Sequence, residues 1–297
     1  MGGVRPRWLD FVELTKPRIA VMVLFTVAAG GFIARPGSFE LVELAHAILG
    51  AALVAAGASA LNQWLERSTD ALMHRTENRP LPSGRLGNVE VIAFGGTLAA
   101  LGLGYMLAMM ASPIAALVTA ITLIGYVFVY TPLKSRTTLN TLIGAVPGAL
   151  PPVIGWTAAT GTLDVGALLL FLIVFLWQVP HFLAIAWIYR EDYARAGLKM
   201  LPALDENGAV TGRQMLLYTL ALVPISFVPV LLGEGSLMYG FGALGVGTYF
   251  LKTVWSFAGD RSDAQARRVV LASLIYLPVV LLLLLADRWM RALVATS

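Results

Sequence analysis

Nine runs of mostly apolar residues dominate this chain and leave it little choice of solvent. They are Ile19–Ile33, Leu44–Leu65, Val91–Met110, Ile114–Tyr130, Leu139–Trp156, Val165–Tyr189, Met215–Leu232, Met238–Trp255 and Val269–Ala286. A bilayer core about 30 Å thick is crossed by about 20 residues of helix, which satisfies its own backbone groups. The runs predict an all-α polytopic membrane bundle of about nine helices around a central cavity, built as one domain over residues 1–297. The eighth run is rich in glycine, and eight spans result if it fails to form. Composition agrees: 13% of the residues are charged, against about 25% in a soluble domain. That is too little charge to coat a chain of this length in water.

The charges that exist are sorted. If the N-terminus is inside, the inner segments hold eighteen of the 21 basic residues, and the outer side holds only Arg35, Arg288 and Arg291. This bias predicts a cytoplasmic N-terminus and an outer C-terminus. It also accounts for the net charge of +4 without nucleic acid, so membrane lipid is the expected macromolecular surrounding. Residues 1–18 form a cytoplasmic segment, in which Trp8–Leu14 reads as a short interfacial helix or as plain loop. No Asp, Glu, Lys or Arg lies near the centre of any run. Ion-coupled transporters place such groups there, so the pattern points to chemistry at the membrane face. Cysteine is absent, and the three histidines (His46, His74 and His181) are too few for an imidazole-rich metal centre. Carboxylates are left to carry any metal chemistry.

Two inner loops, residues 66–88 and 190–213, hold the candidate site. Asn62, Glu66 and Asp70 follow one another at intervals of four and share one face of a helix. They extend along about 12 Å. That is too long for one ion gripped by all three, but it suits a polyanion bridged by Mg²⁺, which typically takes one or two carboxylates plus phosphate oxygens. Arg75 and Arg79 can clamp phosphate oxygens bidentately, and Lys134 and Arg136 in the next inner loop can neutralise the same charge. The competing reading is a solvated, salt-bridged helix end. Against it stands Asn62, an amide at the end of an apolar run, which is costly without a partner. The run Gly144–Trp156 contains Pro147, Pro151 and Pro152, a break that survives where freed backbone groups meet protein or a cavity. His181 follows Pro180 and neighbours Gln178. It reads as a satisfied structural residue or as part of a site. Trp156 and Trp177 read as belt, packing or a platform for a flat ligand.

These residues carry a resemblance. The blocks Leu14–Arg18, Asn62–Pro82, Tyr130–Lys134, Pro147–Pro152, Trp177–Phe182 and Tyr189–Pro202 make the chain similar to the UbiA superfamily of intramembrane prenyltransferases, and within it to the branch that acts on haem. Two departures separate it from quinone-type members. In their Asn-Asp-x-x-Asp-x-x-x-Asp motif Gln63 and Glu66 replace the first two aspartates while Asp70 remains. In their second motif Tyr189 and Tyr193 stand where aspartates are usual. The resemblance implies farnesyl diphosphate and haem B as substrates, Mg²⁺ as cofactor and haem O as product. It implies metal and catalytic roles for Asn62, Glu66, Asp70 and Asp192. It implies substrate contacts for Arg75, Arg79, Tyr130, Lys134, Arg136, Trp156, Trp177 and Lys199, and a haem-side role for His181. Contact with haem-pathway or terminal-oxidase assembly proteins is a further expectation. The alternatives are a prenyltransferase for an aromatic or quinone-type acceptor and a non-catalytic haem or lipid carrier.

Overall fold

The computed structural model describes residues 6–37 and 40–296, with the side chains of residues 295 and 296 left aside. The secondary structure is helical throughout the described residues. A short helix α1 (Arg7–Leu14) precedes α2 (Pro17–Ala34), α3 (Leu41–Asp70), α4 (Asn88–Met109), α5 (Ile114–Leu133) and α6 (Asn140–Thr160). Then come α7 (Val165–Ile188), two short inner helices α8 (Arg190–Arg195) and α9 (Leu201–Leu204), and α10 (Ala209–Leu231), α11 (Leu237–Gly259) and α12 (Asp263–Thr296).

Eight of these helices are long and apolar enough to cross a membrane. The ninth long helix is α11, the glycine-rich run whose formation was in question. Its 23 residues reach about 34 Å, and its glycines serve packing. A Cβ at Gly240 would lie 2.5 Å from the Phe227 ring of α10. Small residues set close helix contacts throughout, as they do in lipid, where apolar burial alone cannot drive association. Gly57 of α3 lies against the Gly95 carbonyl of α4. Between α2 and α6 the approach is closer still: a Cβ at Gly155 would sit 1.8 Å from the Val27 carbonyl oxygen, and one at Gly30 2.0 Å from that of Pro152. The proline-broken run is closely packed by neighbouring side chains at two of its glycines. Gly148 makes room for the Gln178 amide and Gly144 for the Tyr130 ring.

The segments expected on the inner side meet at one end of the bundle. Asp10 of α1 pairs with Arg85, and the His74 and Arg75 amides donate to Asp192. The Lys199 amide donates to the Lys134 carbonyl, and Arg190 pairs with Asp263. Arg288, Glu234 and the Ile33 carbonyl join at the other end. The sorting of basic residues read from the chain is therefore a sorting in space. Arg5, counted with the inner group, lies outside the described residues. The segment Trp8–Leu14, expected as a short interfacial helix or plain loop, is helical, with Trp8 and Val12 exposed and Leu14 buried.

Gly155→Ala adds one methyl against a backbone that cannot yield, and should lower stability by about 2 kcal/mol or more. Gly96→Ala, which meets open space, should be neutral. Thermal unfolding in detergent checks the pair, and equal midpoints would contradict the α2–α6 contact.

Candidate functional site

The site grows from the last two turns of α3. That helix runs on to Asp70, past the apolar run, so Asn62, Glu66 and Asp70 lie on one continuous face at the inner end. Each is buried or nearly so and each has a partner from another segment. The Asn62 Oδ1 accepts from Lys16 Nζ at 3.2 Å and from the Tyr126 hydroxyl at 3.4 Å, while Nδ2 donates to Thr131 Oγ1 at 3.0 Å. Tyr126 stands in a π-helical segment of α5, Gly125–Tyr130, and Thr131 follows directly. The wider turn re-aims both side chains toward α3, as π segments inside α-helices often do at functional sites. Glu66 pairs with Lys134 Nζ at 2.5 Å, and Asp70 pairs with Arg79 at 2.6 Å. Lys134 also lies 4.6 Å from the centre of the Tyr130 ring. Burial pushes its ammonium down, but Glu66, followed by Tyr130 and Tyr126, holds its pKa well above the ordinary lysine range.

Lys16 was visible only as part of a resemblance block, and the structure makes it part of the site. It is the one non-glycine with positive φ among the described residues, at 48°. Pro17 disfavours the right-handed helical region for the residue before it, and the left-handed turn carries the lysine inward beneath α3. Burial, and then the neighbouring Arg79, pull its pKa down to about 7, with Glu66 opposing.

Around this core the remaining candidates divide. Arg75 is exposed and has no acidic partner among the described residues. Its guanidinium lies 4.7 Å from the Tyr189 ring centre and 5.8 Å from that of Tyr193, whose hydroxyl accepts from it at 3.2 Å. The two tyrosines standing in the places of the second acidic motif thus hold a cation. Asp192 binds the His74 and Arg75 amides, both at 3.4 Å, and Arg195 at 3.1 Å. It ties the two inner loops together, and no group of three Asp, Glu or His gathers around it among the described residues. Arg136 is exposed and unpaired among the described residues. Lys199 joins the site through its backbone, bonded to Lys134 and to Asn140. Trp177 stacks on His181 deep in α7. Trp156 is not brought to the site: its indole donates to Asp164, the N-cap of α7 at the outer end.

The donors decide whether a divalent cation fits. Asp70 Oδ1 is buried without any hydrogen-bond partner among the described residues, a state that costs free energy until something satisfies it. An oxygen-seeking cation such as Mg²⁺ suits it and the nearby Glu66 carboxylate. No group of three Asp, Glu or His converges among the described residues, so the remaining ligands would come from a bound anion and water. Asn62, expected in the same shell, already spends its oxygen on Lys16 and Tyr126.

The family model described as "UbiA prenyltransferase family" matches residues 23–287. A protoheme IX farnesyltransferase of Solibacter usitatus (strain Ellin6076) is 46% identical over 288 residues, covering 94% of this chain and 98% of the relative. The protein of that name from Opitutus terrae is 40% identical, with 95% of each chain covered. Among solved structures, one of digeranylgeranylglyceryl phosphate synthase superposes with a TM-score of 0.79 at 17% identity, over 96% of this chain and 99% of that one. A UbiA homolog from Archaeoglobus fulgidus bound to GPP and Mg²⁺ gives a TM-score of 0.66 at 15% identity, over 93% and 99%. These two share the fold.

Because its folded pKa is lowered to about 7, Lys16 is charged below that pH and neutral above it, and an anion beside it draws the proton back. Pyrophosphate should bind best below about pH 7 and progressively less well above it. Lys16→Arg, charged throughout, should flatten that profile in isothermal titration. Superimposable profiles would remove Lys16 from the anion site.

Proposed function

The chain belongs to the UbiA prenyltransferase family, and from that premise we propose that it transfers a farnesyl group from farnesyl diphosphate to a vinyl group of haem B, with addition of water, giving haem O. The relatives at 40–46% identity carry the name of that activity. The observation that carries the reading is the alternation of buried charges at the inner end of an apolar bundle: Lys16, Glu66, Asp70, Arg79 and Lys134. Such a cluster suits a substrate with a polyanionic head and an apolar tail. The basic-residue bias supports an inner-membrane protein with its N-terminus, and so this site, in the cytoplasm.

Arg75 and Arg136, free of acidic partners among the described residues, meet the diphosphate first. Lys134 and Arg79 then exchange carboxylate oxygens for phosphate oxygens, with Lys16 charged by the approach of the anion. Glu66 and Asp70, so relieved, would hold Mg²⁺, which would supply Lewis-acid neutralisation of the leaving group. The C–O bond to the farnesyl C1 breaks with its electron pair leaving on the diphosphate. Tyr130, whose face already receives the Lys134 ammonium, offers the same face to the allylic cation. The vinyl π pair forms the new C–C bond, water captures the positive charge left on the haem side chain, and a proton departs. We assign the haem side to His181, which is buried with Trp177 stacked on it. Trp156 and Asp192 keep structural roles at their respective ends.

Purified protein given haem B, farnesyl diphosphate and Mg²⁺ should yield a haem heavier by one farnesyl group and one water, and EDTA should abolish it. Glu66→Gln should lower kcat by about a hundredfold or more while near-ultraviolet circular dichroism still reports a folded protein. Prenylation of an aromatic acceptor instead of haem would move the reading to the alternative substrate class. Wild-type turnover by Glu66→Gln would remove the carboxylates from the chemistry.

A further inference from the structure

His181 is 9% exposed, and its one hydrogen bond among the described residues runs to the last helix. Nδ1 lies 2.7 Å from Ser273 Oγ on α12. A serine hydroxyl has one proton to donate and lone pairs to accept with, and this one has two neighbours. The second is the Val270 carbonyl oxygen, at 2.6 Å in its own helix. A carbonyl oxygen brings no proton, so that short contact requires the hydroxyl to donate there. The same hydroxyl then accepts, and the proton of the second bond sits on Nδ1. The arrangement is clamped from both sides. The Trp177 indole donates to the Ser273 carbonyl at 2.7 Å, and its ring lies on the His181 ring with centroids 4.9 Å apart and planes at 16°.

We propose that Ser273 and Trp177 are positioning residues that hold His181 as the Nδ1–H tautomer, so that Nε2 is presented as an unprotonated electron-pair donor to the haem substrate. Nε2 makes no hydrogen bond among the described residues, and the neutral imidazole has its lone pair there. An imidazole that serves a metal commonly donates its other N–H to an oxygen that fixes tautomer and ring plane. Here that oxygen is a hydroxyl, itself tied to backbone, on a helix that contributes nothing to the charged cluster. The role of Nε2 rests on the haem reading of the function. The tautomer rests on the hydrogen bonds alone.

The two are separable by experiment. The chain has three histidines, so full-length protein labelled with ¹⁵N-histidine gives a spectrum that His181→Asn assigns by difference. The wild type should show a protonated Nδ1 and a bare Nε2 at His181. Ser273→Ala should mix the tautomers, and Ser273→Thr, which keeps the hydroxyl, should restore the wild-type pattern. A wild-type Nε2–H signal, or no change in Ser273→Ala, would overturn the lock. In parallel, titration with haem B followed by absorption should show binding weakened roughly tenfold in Ser273→Ala and recovered in Ser273→Thr, with farnesyl diphosphate affinity unchanged. A shifted tautomer with unchanged haem affinity would overturn the donor role of Nε2. Failure of the wild type to bind haem at all would instead overturn the haem reading, and the spectrum would still judge the tautomer.

Discussion

Everything at the inner end of this bundle follows from two carboxylates, Glu66 and Asp70, that α3 carries to the edge of an apolar span. A bare buried carboxylate is not sustainable, and a buried pair that loses one member costs about 3–5 kcal/mol. Cations must therefore come from elsewhere in the chain, and each drags its own segment into place. Lys134 brings the end of α5, Arg79 brings the loop between α3 and α4, and Lys16 brings the turn before α2. The inner loops are then stitched to one another through Asp192, Arg190 and the Lys199 backbone. Such ion pairs contribute little net stability over an apolar alternative. A cluster of two acids and three cations makes sense where an incoming polyanion can take over the cations and a metal the acids.

The departures from the quinone-type pattern have a physical meaning in this light. Where the second acidic motif would supply carboxylates, Tyr189 and Tyr193 hold the guanidinium of Arg75. A fixed cation on that side of the cluster is suited to phosphate oxygens, and Asp192 binds loop amides and Arg195.

Much of this was legible in the chain. Apolar runs announce spans because lipid enforces both their length and their helicity, and the basic bias announces which segments gather at one end of the bundle. The shared face of Asn62, Glu66 and Asp70 follows from helical spacing. The partners do not, because they depend on a π-helical segment in α5 and on loop packing that no local pattern encodes. Lys16 needed the left-handed turn before Pro17 to become a site residue. Ser273 sits in an unbroken apolar run, where a single hydroxyl gives no signal until α12 is laid against α7. Trp156 is the reverse case. Alternation of the spans already puts the end of the fifth run on the outer side, away from the inner-face cluster.

The central claim is that the Glu66–Lys134 pair exists to be exchanged for substrate and is not merely a brace. A charge-swapped chain, Glu66→Lys with Lys134→Glu, keeps the pair and reverses its direction. The account predicts that the swap recovers most of the thermal stability lost in Glu66→Lys alone, yet leaves turnover of farnesyl diphosphate and haem B depressed by about a hundredfold or more. A swapped protein with wild-type turnover would show that the pair only holds the helices together, and the proposed site would have to lie elsewhere.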